Sequence, residues 1–234
     1  MNIALLGYGK MGKSIEAIAI DRNHNISLKA TSSTTDFDFS TTDVAIDFSL
    51  PSTAVDPITR ALDANVPVIS GTTGWLEKYD EIVAYCNSKN GAFLYASNFS
   101  LGVNIFFEIN KKLAEMMSNF TEYSTEMEEI HHTQKLDAPS GTAITLAEDI
   151  IKQTEYTSWT LDLPKSNEIY IEAKRIEGVP GTHEITYNSE IDSISIKHTA
   201  HSRQGFAMGA VIAAEWIQGK KGIFNMKDVL NING

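Results

Sequence analysis

The amino-acid sequence predicts an α/β protein in two parts: a parallel sheet covered by helices, then an α+β part built on an open mixed sheet. Two observations carry this prediction. Over the first hundred residues, apolar runs of strand length alternate with segments of helical period, which is the rhythm of βαβ units. From about residue 123 the pattern changes to long strands of alternating polar and apolar residues, which is typical of a sheet with one wet face.

The first part begins with the strand NIALL and the helix KSIEAIAI, followed by the strands ISLKAT and DVAIDFS. The next helix, ITRALDA, is predicted to start near Asp56. Both Pro51 and Pro57 lie in this segment, and a helix begun at Pro51 would be broken at Pro57. The strand PVISGTT, the helix EKYDEIVAYCNSK and the strand AFLYAS complete this part.

The second part opens with a long helix, LGVNIFFEINKKLAEMM, which leads the chain away from the first sheet. The strands EYSTEMEEIHH, EIYIEAKRIEG, THEITYNS and DSISIKHTA follow, interrupted by the helix TAITLAEDIIKQ. In DSISIKHTA the residues Ile194, Ile196 and His198 fall on one face of the strand, and the polar residues fall on the other. A strongly apolar helix, FAMGAVIAAEWIQG, is predicted to return to the first part.

Composition argues against several classes of protein. The chain has 234 residues, a net charge of -11 and a pI near 5.0, and nucleic-acid binding would need Lys and Arg at the phosphates. The single cysteine, Cys86, excludes an internal disulfide framework. No segment of the sequence approaches the roughly 20 apolar residues of a membrane span, and we expect no cleaved leader. We therefore expect a cytoplasmic protein with no nucleic-acid or membrane partner.

The segment LLGYGKMG places Gly7, Gly9 and Gly12 in the spacing G-x-G-x-x-G, between a predicted strand and a predicted helix. The first glycine permits a tight turn, the second lets the backbone approach a pyrophosphate, and the third lets helix and strand pack closely. The N–H groups of the helix start would face the phosphates. A plain glycine turn is the alternative, but the position at the start of a βαβ series favours a Rossmann-type dinucleotide-binding domain.

The second strand bears on the choice between NADH and NADPH. The segment NISLKATSSTT lacks the Asp or Glu that would bind a free ribose 2′-hydroxyl. Lys29 and the hydroxyls of residues 31–35 could instead tolerate a 2′-phosphate. We therefore predict that NADPH is used at least as well as NADH.

Two further loops follow predicted strands, and the carboxyl ends of parallel strands form the ligand crevice of such sheets. Gly71, Thr72 and Thr73 in PVISGTTGW are predicted to line the cofactor. Asn98 in LYASNFSLGVN is predicted, with its neighbours, to hold the nicotinamide carboxamide. Ordinary turn chemistry is the alternative, since Gly, Thr, Ser and Asn are common turn residues.

The stretch EIHHTQKLDAPSGTA concentrates titratable and anion-binding groups. His131, His132 and Lys135 supply two groups that titrate near neutrality and one permanent donor, which suits proton delivery and carboxylate binding. Ser140 is a candidate N-cap, with residues 141–142 in the first turn of a helix whose start is an anion site. A metal site is not expected, because the chain has one cysteine and the HH pair lacks the i, i+4 spacing of a zincin helix. The pattern predicts a site for a small dianion beside a proton donor.

This stretch closely resembles the signature of the 4-hydroxy-tetrahydrodipicolinate reductases, also called dihydrodipicolinate reductases, of the diaminopimelate route to lysine. The resemblance extends over the glycine loop, VAIDFS, GTTG, ASNFSLGVN, HH-x-x-K, GVPGTHE and HSRQGFAMGAVIAAEWI. The histidine, lysine and SGT motif is highly specific, whereas the other segments would be weak alone. The resemblance implies reduction of 4-hydroxy-tetrahydrodipicolinate, a small dicarboxylate, by NADPH or NADH with loss of water.

The resemblance also implies roles for individual residues. The implied catalytic residues are His131, as acid or base, and Lys135, as proton donor. The implied substrate contacts are His132, Ser140, Gly141 and Thr142. The expected cofactor-binding residues are Gly7, Tyr8, Gly9, Lys10, Met11, Gly12, Phe48, Gly71, Thr72, Thr73, Ala96, Ser97, Asn98 and Phe99.

The organisation of the family implies a dinucleotide-binding domain at residues 1–101, completed by residues 205–234. It implies a substrate-binding and oligomerisation domain at residues 102–204, whose sheet would build a homotetramer. Candidate hinges lie near residues 100–102 and 204–205, where the two folding patterns meet.

The sequence departs from the family pattern in places, and rival functions stay open. GYGKMG is one residue shorter than the family's usual G-x-x-G-x-M-G loop, and the chain is short for the family. Arg203 in HSRQGF is a further carboxylate-binding candidate, with a solvated arginine as the alternative. One rival is another two-domain NAD(P)-dependent imine or amino-acid dehydrogenase, which should lack HH-x-x-K followed by SGT. The other is a non-catalytic dinucleotide sensor, which should bind the cofactor without turnover.

Overall fold

The computed structural model describes residues 1–202 and 204–232, which form two compact units. The first unit comprises residues 1–101 and 204–232, and the second comprises residues 102–202. The candidate Arg203 lies outside the described residues. Within the described part of the chain, no helix is both long and apolar enough to cross a membrane.

Eleven strands and seven α-helices make up the described fold. The strands are β1 (Asn2–Leu6), β2 (Asn25–Ala30), β3 (Val44–Asp47), β4 (Val68–Ser70), β5 (Ala92–Tyr95), β6 (Ser124–His131), β7 (Ser158–Thr160), β8 (Glu168–Arg175), β9 (Gly181–Asn188), β10 (Ser193–Ala200) and β11 (Gly222–Phe224). The helices are α1 (Lys10–Asp21), α2 (Val55–Asp63), α3 (Tyr79–Ser88), α4 (Leu101–Met117), α5 (Gly141–Ile151), α6 (Gln204–Trp216) and α7 (Met226–Leu230).

The first unit is a parallel sheet of six strands in the order β11-β5-β4-β3-β1-β2. Its inner strands β1, β3, β4 and β5 are largely apolar because both faces of the sheet are covered there. Side chains of α1 and α6, including Ile15 and Val211, pack on one face, and those of α2 and α3, including Ile58 and Ile82, pack on the other. The strand order reverses at β1, which pairs with both β2 and β3, and this switch point is where such sheets bind ligands. The predicted Rossmann-type architecture is confirmed.

The helix near the two prolines, Pro51 and Pro57, begins close to the predicted position. A short 3₁₀ turn at Pro51–Thr53 precedes α2, which begins at Val55 with Pro57 in its first turn. The prediction missed β7, β11 and α7. The two strands have three residues each, too few to show an alternation, and the helix has only five residues.

The second unit is a mixed sheet in the order β10-β9-β6-β8-β7. Pairings of β9 with β6 and β10 are antiparallel, whereas β8 pairs in parallel with β6 and β7. Helices α4 and α5 cover one face, and residues such as Leu146, Ile171 and Ile185 form the core beneath them. The opposite face carries ion pairs, including Lys174 with Glu128.

The edge strand β10 differs in detail from its predicted pattern. Ile194 was placed on the same face as Ile196 and His198, but its side chain is 39% exposed. An edge strand has a neighbour on one side only, so the face it shares with the core is incompletely covered at its end. Ile196 packs against the core of the second unit, as the alternation predicts.

Candidate active site

The glycine loop joins β1 to α1 at the switch point of the first sheet. Gly7 has φ +103, and a Cβ there would lie 2.1 Å from the carbonyl oxygen of Phe48, after β3. A Cβ on Gly12 would lie 2.3 Å from the carbonyl oxygen of Gly7, so helix and loop are in backbone contact. Gly9 is the N-cap of α1 and faces open space, which leaves room for a ligand at the helix start. The three glycines therefore take the roles that a pyrophosphate-binding loop requires.

A cavity of about 540 Å³ opens beside this loop. Its walls come from three places: Gly7, Tyr8 and Gly9; the segment from Ala30 to Phe37; and the segment from Phe48 to Pro57. The volume suits part of a dinucleotide, because ligand pockets span roughly 300–1,000 Å³. Lys10, at the first helical position, is exposed, and Met11 packs partly against the core.

The loops after β3 and β4 are joined by a buried carboxylate. Asp47 is fully buried, and its carboxylate accepts hydrogen bonds from the Ser70 hydroxyl at 2.8 Å and the Ser49 amide at 3.2 Å. Burial raises the pKa of Asp47, an effect that these hydrogen bonds oppose. The Ser49 amide also donates to the Thr72 hydroxyl at 2.8 Å. Sequence reasoning missed Asp47, although its place at the end of an apolar strand was a signal.

The remaining predicted cofactor residues lie after β4 and β5, outside the lining of the 540 Å³ cavity. Thr72 is buried, whereas Gly71 is half-buried and Thr73 is exposed. The side chain of Asn98 accepts a hydrogen bond from the Ser100 amide at 2.9 Å. Such a contact is typical of a turn, which was the alternative to a cofactor-binding role for this loop. Phe99 is buried in the core, Ala96 is half-buried and Ser97 is exposed.

The histidine stretch of the second unit is organised around Glu129. This residue is fully buried on β6, and the alternation of the strand puts His131 on the same face. Nδ1 of His131 lies 2.8 Å from Oε2 of Glu129, and the Arg175 guanidinium donates to Oε1 at 3.0 Å. Burial alone would raise the pKa of Glu129, but contacts with His131, Ser140 and Arg175 outweigh it and lower the pKa to about 2. Glu129 is therefore an anion at neutral pH that fixes the catalytic candidate His131.

The start of α5 meets the same cluster. Ser140 is the N-cap, since its hydroxyl accepts the Ala143 amide at 3.2 Å, and α5 begins at Gly141, as predicted. The Ser140 amide donates to Glu129 at 3.1 Å, and its hydroxyl lies 3.1 Å from Nε2 of His183. Burial, with a smaller effect of the neighbouring His131, lowers the pKa of His183 to about 3, so this imidazole is neutral at pH 7.

Lys135 lies in the turn after β6. Its amide donates to the His132 carbonyl, and its ammonium lies 2.7 Å from Asp137. The hydrogen bond from Lys135 is the main reason why the pKa of Asp137 is below its usual value. Arg175 donates to the backbone carbonyls of Lys135 and Asp137, which ties the turn to β8. The ammonium is therefore held at the edge of the cluster by an exposed carboxylate that a substrate carboxylate could replace.

The contacts of Glu129 bring together two of the six predicted residues of this stretch, His131 at the end of β6 and Ser140 at the start of α5. The residue His132 follows His131 along the chain, and Gly141 and the half-buried Thr142 form the first turn of α5. Sequence reasoning missed Glu129, Arg175 and His183. Glu129 had a signal, because it is two residues from His131 in a predicted strand. Arg175 and His183 come from other strands, and their positions depend on the register that pairs His131 with Arg175 and Glu129 with His183.

Glu129, His131 and His183 also offer ligand atoms within 4.8 Å of one another, a grouping that can hold a metal ion. The Arg175 guanidinium on the same carboxylate works against an additional cation there. The contacts that exist instead form a hydrogen-bonded charge cluster around one carboxylate.

A parallel sheet with a phosphate-binding glycine loop, joined to a unit with a histidine, a lysine and a helix-start anion site, defines a two-domain NAD(P)-dependent oxidoreductase. Comparison with known proteins places the chain within that class. Residues 1–99 match the family described as "Dihydrodipicolinate reductase, N-terminus", and residues 102–230 match "Dihydrodipicolinate reductase, C-terminus". The chain therefore belongs to the dihydrodipicolinate reductase family, whose members use NADH or NADPH.

Individual relatives agree with this assignment. The chain is 56% identical to a 4-hydroxy-tetrahydrodipicolinate reductase of Christiangramia forsetii, covering 99% of this chain and 98% of the relative. It is 39% identical to the Methanosarcina acetivorans enzyme of the same name, covering 81% and 73%. A dipicolinate-bound dihydrodipicolinate reductase from Paenisporosarcina sp. TG-14 has the same fold, with a TM-score of 0.73, 21% identity and coverage of 96% and 97%.

Proposed function

We propose that this protein catalyses the NAD(P)H-dependent reduction of 4-hydroxy-tetrahydrodipicolinate to tetrahydrodipicolinate with loss of water, in the diaminopimelate route to lysine. The observation that carries the proposal is the cluster in which Glu129 fixes His131 next to the start of α5, with Lys135 in the turn that follows β6. This cluster is joined in one chain to a dinucleotide-binding unit. The 56% identity to a reductase of that name supports the same reaction.

The second unit has the groups that a dicarboxylate needs. The backbone N–H groups at the start of α5 lack partners within the helix and carry the positive end of its dipole, so they suit one carboxylate. Gly141 faces open space, which lets an anion approach the backbone there. We assign Ser140, Gly141, Thr142 and His132 to substrate binding, with Lys135 exchanging Asp137 for the second carboxylate.

Proton delivery is assigned to His131 and Lys135. The substrate is a cyclic imine, and loss of its hydroxyl as water gives a conjugated C=C–C=N system. A nicotinamide held in the first unit would supply a hydride to the ring carbon that bore the hydroxyl, which would leave negative charge shared between the ring nitrogen and the carbon next to the imine carbon. A cationic acid nearby stabilises that charge and supplies the proton. Lys135 is suited to this role because it is a permanent donor, and His131 because Glu129 holds its ring in place through Nδ1 at 2.8 Å.

The dinucleotide is assigned to the glycine loop and its cavity in the first unit. The residues present fit it, because Gly9 leaves open space at the start of α1, while Gly7 and Gly12 let the loop pack closely against Phe48 and the helix. Tyr8, Lys10, Met11 and Phe48 surround that loop or its cavity. Gly71, Thr72, Thr73 and residues 96–99 follow the next two strands and are assigned to the nicotinamide half.

We infer that the protein works in the cytoplasm as a homotetramer assembled through the central sheet. The face of that sheet away from α4 and α5 supports this inference, because its lysines are already paired with carboxylates within one chain. Lys174 contacts Glu128 and Glu172, and Lys197 contacts Glu184 at 2.8 Å. A sheet face whose lysines are already paired can pack against a copy of itself without burying an unpaired cation. Sedimentation velocity would test this, since a monomer or dimer would contradict the inference.

The reaction itself is tested with purified protein and the product of condensing pyruvate with aspartate semialdehyde. Oxidation is followed by the absorbance of NADPH and, separately, of NADH. We expect rapid oxidation, and a kcat at least about a hundredfold lower in Lys135→Ala, within the ~10²–10⁴ typical of general acid catalysis. Wild-type turnover by that variant would remove the lysine from the mechanism. Dinucleotide binding without any turnover would instead support a sensor.

A further inference from the structure

Three side chains form a cluster beside the cofactor cavity. Nζ of Lys29, near the end of β2, lies 2.6 Å from Oε1 of Glu16 on α1. The hydroxyl of Tyr8, in the glycine loop, donates to the other carboxylate oxygen of Glu16. The ammonium also lies 5.0 Å from the centroid of the Tyr8 ring. We call these three residues the Tyr8–Glu16–Lys29 cluster.

Both charges of the cluster are present at neutral pH. Hydrogen bonds from Lys29 and Tyr8 lower the pKa of Glu16, and the contact with Glu16 raises the pKa of Lys29. The ammonium therefore faces a carboxylate of opposite charge, and the pair has no net charge. Lys29 was predicted from sequence as a group that tolerates a 2′-phosphate, but its cation is already neutralised.

The cluster lies where a dinucleotide fold distinguishes its two cofactors. In such folds the group at the end of the second strand meets the ribose 2′ position, with an acid for NADH or a basic residue for NADPH. Here the cavity wall at that place carries Thr31, Ser32 and Thr34, together with Tyr8. The hydroxyl of Thr34 accepts a hydrogen bond from the Thr31 amide at 2.9 Å. This hydroxyl is therefore already engaged within the loop that forms the wall. A charged residue of the cavity wall, Asp56, forms an ion pair with Arg60.

We propose that Glu16 is a specificity-determining residue that withholds the Lys29 charge from the 2′-phosphate and so lets NADH compete with NADPH. The proposal rests on the assigned dinucleotide site. Removing the carboxylate leaves one uncompensated cation near a phosphate dianion, which favours the phosphorylated cofactor. The expected gain is about three- to fivefold, the size of one exposed ion pair.

The test measures binding and needs no turnover. Isothermal titration compares adenosine 2′,5′-bisphosphate with AMP, two ligands that differ only in the 2′-phosphate and lack nicotinamide. In Glu16→Gln the ratio of Kd for AMP to Kd for the bisphosphate should rise about three- to fivefold, and less at high salt. Glu215→Gln is the matched control, because it removes a helix carboxylate paired with Arg22 and His24 and should leave the ratio unchanged.

A second variant separates the cation from other effects of the substitution. In Lys29→Met, adding Glu16→Gln should give no further gain, because no ammonium is left to release. A ratio that stays the same or falls in Glu16→Gln, or a gain that persists without Lys29, would overturn this proposal alone. Failure of the wild-type protein to bind either ligand would overturn the dinucleotide site itself.

Discussion

Replacing Glu129 with glutamine tests the organisation of the second unit most directly. The change keeps the size of the side chain and removes its charge. Glu129 is fully buried and meets Nδ1 of His131, the Arg175 guanidinium and the Ser140 amide. A glutamine amide cannot accept hydrogen bonds from all three groups, and Arg175 would lose the carboxylate with which it pairs. We therefore expect losses of both stability and catalysis.

The pKa of Glu129 gives the size of the effect on stability. Its pKa is about 2 in the folded protein, against an ordinary value of 4.5. Each pKa unit corresponds to about 1.4 kcal/mol, so the charged carboxylate contributes about 3 kcal/mol to the free energy of unfolding at pH 7. Because the folded pKa is depressed, this contribution is present in full well above pH 4.5 and is lost as the pH falls towards 2. Between pH 7 and pH 3.5 it shrinks by about 1 kcal/mol.

Urea unfolding of the wild type and Glu129→Gln measures this difference at pH 7 and pH 3.5. The kcat should also fall by at least about tenfold, because His131 loses the group that orients it, while the Kd for NADPH stays the same. Glu148→Gln, on the exposed side of α5, is the matched control and should change stability by less than about 0.5 kcal/mol. A Glu129→Gln protein as stable and active as the wild type would refute the central role of this carboxylate.

Three other substitutions probe single contacts. His131→Ala should lower kcat by about 10²–10⁴ and alter the pH profile of kcat, and an unchanged profile would count against its proton role. Gly7→Ala should weaken NADPH binding by at least about tenfold in titration calorimetry, because φ is +103 and the Cβ would lie 2.1 Å from the Phe48 oxygen. Wild-type affinity would show that the loop can move. Asp137→Asn should lower the KM for the dicarboxylate by up to about fivefold, since Lys135 is released from an exposed ion pair, and a raised KM would mean that Asp137 holds the lysine in place.

Most of the fold could be predicted because the spacing of apolar residues along the sequence shows which faces of a strand or helix are buried. The runs of β1, β3 and β5 are apolar apart from Asn2 and Asp47 at strand ends, as expected of strands buried on both faces, and the alternation of β6 and β9 shows a half-covered sheet. Ser140 was identifiable as an N-cap because its chemistry is local. β7 and β11 were not identifiable, since strands of three residues depend on pairing with a neighbour.

In the candidate site, only the residues that lie close together in the sequence could be predicted. His131 and Lys135 lie four residues apart in one stretch that also contains Glu129 and Asp137, whereas Arg175 and His183 come from β8 and β9 through strand register. The pairing of Lys29 with Glu16 also joins a strand to a helix, and no pattern along the chain reveals it. Sequence therefore identified the groups that could do chemistry, and the tertiary contacts showed which of them are held or neutralised.

The interrupted first unit has a consequence for synthesis of the chain. Helix α6 contributes Ala207, Ala210, Val211 and Ala214, all fully buried, to the core beneath the first sheet, and β11 pairs with β5 at its edge. These residues leave the ribosome only after all of residues 102–202. The second unit is contiguous and can fold while it emerges, but until α6 emerges the sheet face of the first unit is covered only in part, by α1. The nascent chain therefore passes through an interval in which that face is open to chaperones and to aggregation.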